Sequence, residues 1–90
     1  MNAKQFMQRV ARLPCQICEM QGIDGSPSEV HHVFDADRRS DWLVVPLCAE
    51  HHRGASGVHG LHRRGFEARY KVSDEDLISM TISKVLRGVK

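Results

Sequence analysis

Two short segments concentrate five potential metal-binding side chains, His31-His32 and the Cys and His residues of Cys48-Ala49-Glu50-His51-His52. Upstream lies Cys15-Gln16-Ile17-Cys18 and downstream His59, so all three cysteines and five of the six histidines fall into clusters with ligand-like spacing. Thiolate and imidazole are the donors zinc prefers in a closed structural site. Cys15, Cys18, Cys48 and His51 form a Cys3His set built from two x-x-spaced pairs. Each pair can grip one ion from a single turn, and together they tie the N-terminal segment to the start of a central helix. On spacing alone His52 can stand in for His51. The plainer reading, three reduced cysteines buried as small apolar groups, leaves the paired spacing without a reason.

With one histidine of the 51–52 pair assigned to zinc, the others have no structural need of one another. They suit phosphodiester hydrolysis. That reaction needs a base to deprotonate water, which imidazole can be near neutral pH, and a divalent cation to offset charge on the phosphate and the leaving 3′ oxygen. In a strand, His31 and His32 point to opposite faces. One can face a metal while the other reaches the substrate or turns into the core, and the alternation does not decide which. A lone histidine is more often structural, and for His62 that reading is preferred. Arg38, Arg39, Arg53 and Arg63 are candidate nucleic-acid contacts, with solvated surface arginine the equal alternative for each.

These residues need a scaffold. Phe6, Val10 and Leu13, with Met7 beside them, predict an amphipathic helix over residues 2–13 that ends at Pro14. After the Cys-x-x-Cys turn, residues 22–28 read as a loop from their Gly, Asp, Ser and Pro content. Residues 29–34 and 42–47 read as strands, joined by a polar loop from Asp35 to Asp41. Pro46 belongs at an edge or a strand end because it cannot donate to a ladder. A helical turn from Cys48 would put His51 and His52 on one face with it. Gly54 and Gly57 break that helix, and Gly60 and Gly65 prolong the loop until a helical pattern resumes at Phe66. Ser73 caps a last helix whose first turn carries Asp74, Glu75 and Asp76, with Lys84 and Arg87 near its end. Leu77, Ile78, Thr81, Ile82, Val85 and Leu86 give it an apolar stripe.

Ninety residues make a single domain, 1–90, that buries only about 60 to 65% of its unfolded surface, so a metal staple would help it fold. Three cysteines leave one over in any disulfide scheme, and the N-terminus lacks the order of a secretory signal, which fits a reducing cytoplasm. No apolar run approaches the roughly 18 residues of a membrane span, so no membrane partner is expected. A net charge of +2 does not by itself mark a nucleic-acid binder. Local basicity is greater, because Arg9, Arg12, Arg38, Arg39, Arg53, Arg63, Arg64, Arg69 and Lys71 lie near the ligand clusters.

The order Cys-x-x-Cys, Val-His-His-Val, then a hydrophobic strand ending Pro-Leu-Cys-x-x-His-His resembles the HNH endonucleases of the ββα-metal fold. The stretches Arg9–Cys15, Ser40–Cys48, His51-His52-Arg53, Val58-His59-Gly60 and Phe66–Tyr70 narrow this further. They resemble small phage-encoded nucleases of the RecA-dependent, Ref-type group over nearly the whole chain. The resemblance implies an α+β fold, a small zinc-stapled ββα-metal (HNH, or His-Me finger) domain with an N-terminal helix and C-terminal helices.

It also implies that His32 is the general base and that His31 is a ligand of a catalytic metal. His52, on the family's final histidine, would be a second ligand and His59 a third. Asp41 stands near the motif's middle Asn, a residue this chain otherwise lacks, since its only Asn is Asn2. Asp41 either orients the base-bearing segment or caps a turn. The implied activity is metal-dependent cleavage of DNA to 5′-phosphate and 3′-hydroxyl ends, encoded by a phage or prophage and used in DNA recombination or processing. The bacterial host cytoplasm would be its setting. Mg2+ or Mn2+ would serve, with Zn2+ or Ni2+ binding imidazoles more tightly. Partners would be DNA and a recombinase filament or another phage replication or recombination protein. The alternative is a zinc-stapled DNA-binding or adaptor module that does not cut. Such a module needs the Cys3His set but has no use for His31, His32, His52 and His59 together. Metal storage or sensing is a third reading, and the arginine clusters speak against it.

Overall fold

Val44, Val45, Pro46 and Leu47 are all buried, as a short strand covered on both faces requires. The computed structural model describes residues 1–88. Helices α1 (Ala3–Arg12) and α2 (Gln16–Met20) precede strand β1 (Glu29–His32), and a 3-10 turn at Ala36–Arg38 leads to strand β2 (Val44–Leu47). Helices α3 (Ala49–Arg53), α4 (Val58–Tyr70) and α5 (Asp74–Gly88) follow. The two strands pair antiparallel, Glu29 opposite Leu47, Val30 opposite Pro46, His31 opposite Val45 and His32 opposite Val44. A two-stranded sheet has only edge strands, the setting in which Pro46 is tolerated.

Side-chain alternation along β2 divides the interior into two clusters. Val45 and Leu47 pack with Cys15, Ile17, Phe66, Val72 and Leu77, whereas Val44 packs with Phe6, Val10 and Val85. Truncating Ile17 or Leu47, both fully buried, to alanine would cost about 2–5 kcal/mol.

Local chemistry fixes the helix ends. Asn2 and Gln5 form a reciprocal capping box at the start of α1, with each side chain accepting from the other's backbone N–H. Ser73 and Asp76 do the same for α5. On α5, Leu77, Thr81 and Val85 are buried, while Leu86 is 63% exposed, beyond the stripe its sequence suggests. Lys84 reaches across to Gln16 and Glu19 of α2. The result is a compact α+β arrangement, and among the described residues no helix is long and apolar enough to cross a membrane.

The strands are shorter than expected, although the Val33 N–H still donates to the Leu43 carbonyl at 3.0 Å and extends the hairpin by one step. The larger departure lies at 58–65, expected as loop and found as the first half of α4. Gly60 is a glycine of close approach. A Cβ there would lie 2.4 Å from the Gly54 carbonyl oxygen and 2.9 Å from that of Ala55, so α4 can start directly on the preceding turn. Tertiary packing outweighs a glycine penalty of about 1 kcal/mol. α4 is also kinked at His62, whose φ of 60° and ψ of 170° are not helical.

Candidate metal centres and active cleft

Cys15 caps α2, and its Sγ accepts the Cys18 N–H at 3.5 Å, so the first thiol pair is held by one helical turn. Cys48 stands at the N-cap position of α3, without a side-chain capping bond, and brings His51 one turn later. His51 Nδ1 lies 3.5 Å from Cys15 Sγ, 3.5 Å from Cys18 Sγ and 3.3 Å from Cys48 Sγ, and the Cys18 and Cys48 sulfurs are 3.8 Å apart. Zinc arms of about 2.3 Å to sulfur and 2.05 Å to nitrogen give tetrahedral edges of roughly 3.8 Å between sulfurs and 3.6 Å between sulfur and nitrogen. The four donors sit close to those edges, and the set fits zinc.

Burial pushes the Cys15 thiol up to about 11. At Cys48 burial also works upward, but the His51 backbone N–H and the other two thiols outweigh it and leave the thiol below its ordinary value. Burial lowers His51, which favours its neutral imidazole. A dication is the partner that such a cluster would hold.

His31, His52 and His59 form a second group whose ligand atoms all lie within 4.8 Å of one another. Their rings meet with centroids 4.9–5.4 Å apart. β1 supplies His31, α3 supplies His52 and the start of α4 supplies His59. Successive residues of a helix are about 100° apart, which is how neighbours 51 and 52 on α3 enter different clusters. His31 is 9% exposed, and burial, followed by the charges of His52 and His59, lowers its pKa to about 4. It is therefore a neutral imidazole with a free lone pair at physiological pH. This donor set suits a borderline divalent ion.

Glu29 completes the cluster from behind. Its Oε1 accepts from His52 Nδ1 at 2.8 Å, leaving the His52 Nε2 lone pair for the cluster, and Arg53 donates to both carboxylate oxygens at 2.6–3.2 Å. Arg53 and then His52 hold the Glu29 carboxyl at about 2. Sequence reading passed over Glu29. Strand alternation was the available signal, since it puts residues 29 and 31 on one face.

His32 faces elsewhere. Its Nε2 donates to Asp41 Oδ1 at 2.8 Å, and Arg39 Nη2 lies 3.2 Å from its Nδ1 and 3.4 Å from its Nε2. Asp41 therefore holds an imidazole. His31, His32 and His59 share the wall of a cleft of about 580 Å³ with Phe34, Asp35, Arg38, His62, Arg63 and Asp74. The guanidinium carbons of Arg38 and Arg63 lie 4.4 and 5.4 Å from the centre of the Phe34 ring, and Asp74 Oδ2 accepts from Arg63 Nε at 2.6 Å. Of the four candidate arginines, Arg38 and Arg63 line this cleft, Arg39 lies on His32, and Arg53 is engaged by Glu29.

The segment before His59 is anchored on both sides. The Ser56 backbone N–H and Oγ donate to Glu50 Oε2 at 3.0 and 2.6 Å, and Tyr70 OH donates to the Ser56 carbonyl at 2.6 Å. The Tyr70 ring meets the His51 ring edge-on at 5.3 Å, so one side chain touches both the thiol cluster and the turn that delivers His59.

No curated protein and no solved structure matches this chain. A family model does, over residues 1–85, and its description reads "Recombination enhancement, RecA-dependent nuclease". The matched span contains both candidate metal clusters, His32 with Asp41, and every residue lining the cleft, and the chain belongs to this family of RecA-dependent nucleases with a role in recombination.

Proposed function

We propose that this chain is a metal-dependent DNA endonuclease of the HNH, ββα-metal type, stapled by a structural zinc on Cys15, Cys18, Cys48 and His51. The observation that carries this reading is the convergence of His31, His52 and His59 within 4.8 Å, with His31 and His59 lining a cleft beside His32, a histidine already oriented by a carboxylate. His31, His52 and His59 would hold a divalent ion, which would supply positive charge to the scissile phosphate and the 3′ oxygen. Mg2+ or Mn2+ suits the reaction, and softer Zn2+ or Ni2+ competes for nitrogen donors.

The rest is done by the chain's own residues. Asp41 keeps the proton of His32 on Nε2, so Nδ1 carries the lone pair that takes a proton from water. Arg39, beside that nitrogen, is drawn onto an arriving phosphate and uncovers the base. Arg38 and Arg63, fixed against Phe34, hold flanking phosphates. Cleavage then leaves 5′-phosphate and 3′-hydroxyl ends. The family's description supports a nuclease working beside a recombinase filament, and we extend that to DNA as the substrate, a phage or prophage origin and the host cytoplasm as its setting.

The test is cleavage of supercoiled plasmid and of single-stranded circles by zinc-loaded protein, with Mg2+, Mn2+ or Ni2+ or with no added metal, alongside His32→Ala. Metal-dependent nicking that disappears in His32→Ala, with one tightly held zinc per chain, is the expected outcome. A folded, zinc-loaded protein that binds DNA and never cuts under any metal would make it a binding or adaptor module.

A further inference from the structure

Trp42 is the only tryptophan in the chain and is 44% exposed. Its exposure is not that of a loose side chain. The indole leans on the buried Phe6 ring, with centroids 5.2 Å apart and planes at 42°, and its backbone N–H donates to Ser40 Oγ at 3.2 Å. One side is thus supported from beneath while the rest faces solvent. The same loop supplies the cleft, since Asp41 holds His32, Arg39 lies on that imidazole and Arg38 lies over Phe34. Helix α1, which contributes Phe6, also carries exposed Lys4, Arg9 and Arg12 and no acidic residue.

An indole kept solvent-facing over a buried ring, in a loop that carries Arg38 and Arg39, matches what single-strand binders use, an aromatic platform for a base beside positive charge for the backbone. In an intact duplex the faces of the bases are covered by their neighbours. Only an unpaired or splayed base can use such a platform. Asp41 and Trp42 are consecutive, about 3.8 Å apart at Cα, so a base on the indole belongs to a nucleotide close to the phosphate in the cleft. We infer that Trp42 is a stacking platform for an unpaired nucleobase of the strand being cut, and that it biases the protein toward single-stranded or locally opened DNA. This inference rests on the nuclease reading above.

Tryptophan emission reports on this residue alone. Zinc-loaded protein without added divalent metal would be titrated with a short single-stranded oligonucleotide and with the matching duplex. Binding would be followed in parallel by the anisotropy of a dye on the DNA. Single-stranded DNA is expected to quench the emission as the anisotropy rises. Trp42→Ala should weaken single-strand binding about 5- to 100-fold and duplex binding by less than about twofold. Trp42→Phe, which keeps an aromatic face over Phe6 and guards against misfolding of the alanine variant, should fall between Trp42→Ala and the parent at equal zinc content.

Binding without quenching, with both variants binding single strands like the parent, overturns the platform and leaves the nuclease reading intact. Equal loss on single strand and duplex also overturns it. Absence of any DNA binding sinks both readings.

Discussion

Glu29 sets two neighbours at once, gripping the Arg53 guanidinium while fixing which nitrogen of His52 is free. Carboxylates behind metal-binding histidines raise affinity by orienting the ring and its tautomer. Glu29→Gln should therefore weaken Mn2+ or Ni2+ binding about 10- to 100-fold in calorimetry, with zinc in the thiol cluster unchanged. Asp41 has the corresponding role for His32 under the proposed mechanism. Asp41→Asn should lower kcat at least about tenfold with little change in KM, because the base is disturbed and the phosphate contacts are not. At this scale the sequence was legible in type more than in pairing. The grouping of His31, His52 and His59 came from the family resemblance, whereas ligand spacing singled out the Cys3His set but treated His51 and His52 as interchangeable in it. Helix rotation separates them, and the spacing of two adjacent residues does not encode that. Strand alternation brought Glu29 to the face of His31, but a carboxylate at a strand end is so often solvated that its identity alone named no partner.

At the scale of elements, α4 is where sequence reading failed. Gly60 and Gly65 look alike as letters, yet a Cβ at Gly65 would meet only Leu61 Cβ at 3.3 Å, while one at Gly60 meets backbone that cannot move aside. Gly60→Ala should lose about 1–3 kcal/mol and several degrees of thermal stability, whereas Gly65→Ala should be near neutral or gain up to about 1 kcal/mol of helix propensity. Calorimetry of the two variants would distinguish them. The start of α5 gives a pH signature. Burial raises the Asp74 carboxyl, and the Arg63 charge lowers it by less. The folded state therefore holds that proton more tightly than the unfolded chain. The resulting stabilisation is complete below the unfolded carboxyl value of about 3.9 and fades as pH rises through the raised folded value. Asp74→Asn removes that dependence. The melting temperature of the variant minus that of the parent should rise between about pH 4 and pH 7. Helices α1 and α5 were legible because their caps and stripes are local, whereas the position of α4 is set by contact with a turn that no local pattern records.

For the whole molecule, the apolar interior is two small clusters on either side of one four-residue strand. A chain this short leaves a narrow margin, and a closed zinc site supplies folding free energy directly. Stripping zinc with a tight chelator should collapse the far-ultraviolet helix signal, and restoring zinc should recover it. The α+β layout was legible from turn residues and strand alternation. The route by which the parts communicate was not, because Tyr70 lies far in sequence from both His51 and Ser56 and joins them only in three dimensions.

His51 and His52 are adjacent on α3, one in each candidate metal centre, and a single peptide unit therefore fixes the offset between staple and cleft. Under the proposed reading this imposes an order of assembly. Until the thiols have captured zinc, α3 lacks the anchor at His51 that fixes the rotation presenting His52, and the contacts of Glu29 to His52 and of Glu50 and Tyr70 to Ser56 must hold the site without it. A newly made chain would be harmless to the DNA around it until its first ion arrives, and a zinc-starved cell would accumulate it as an inert precursor.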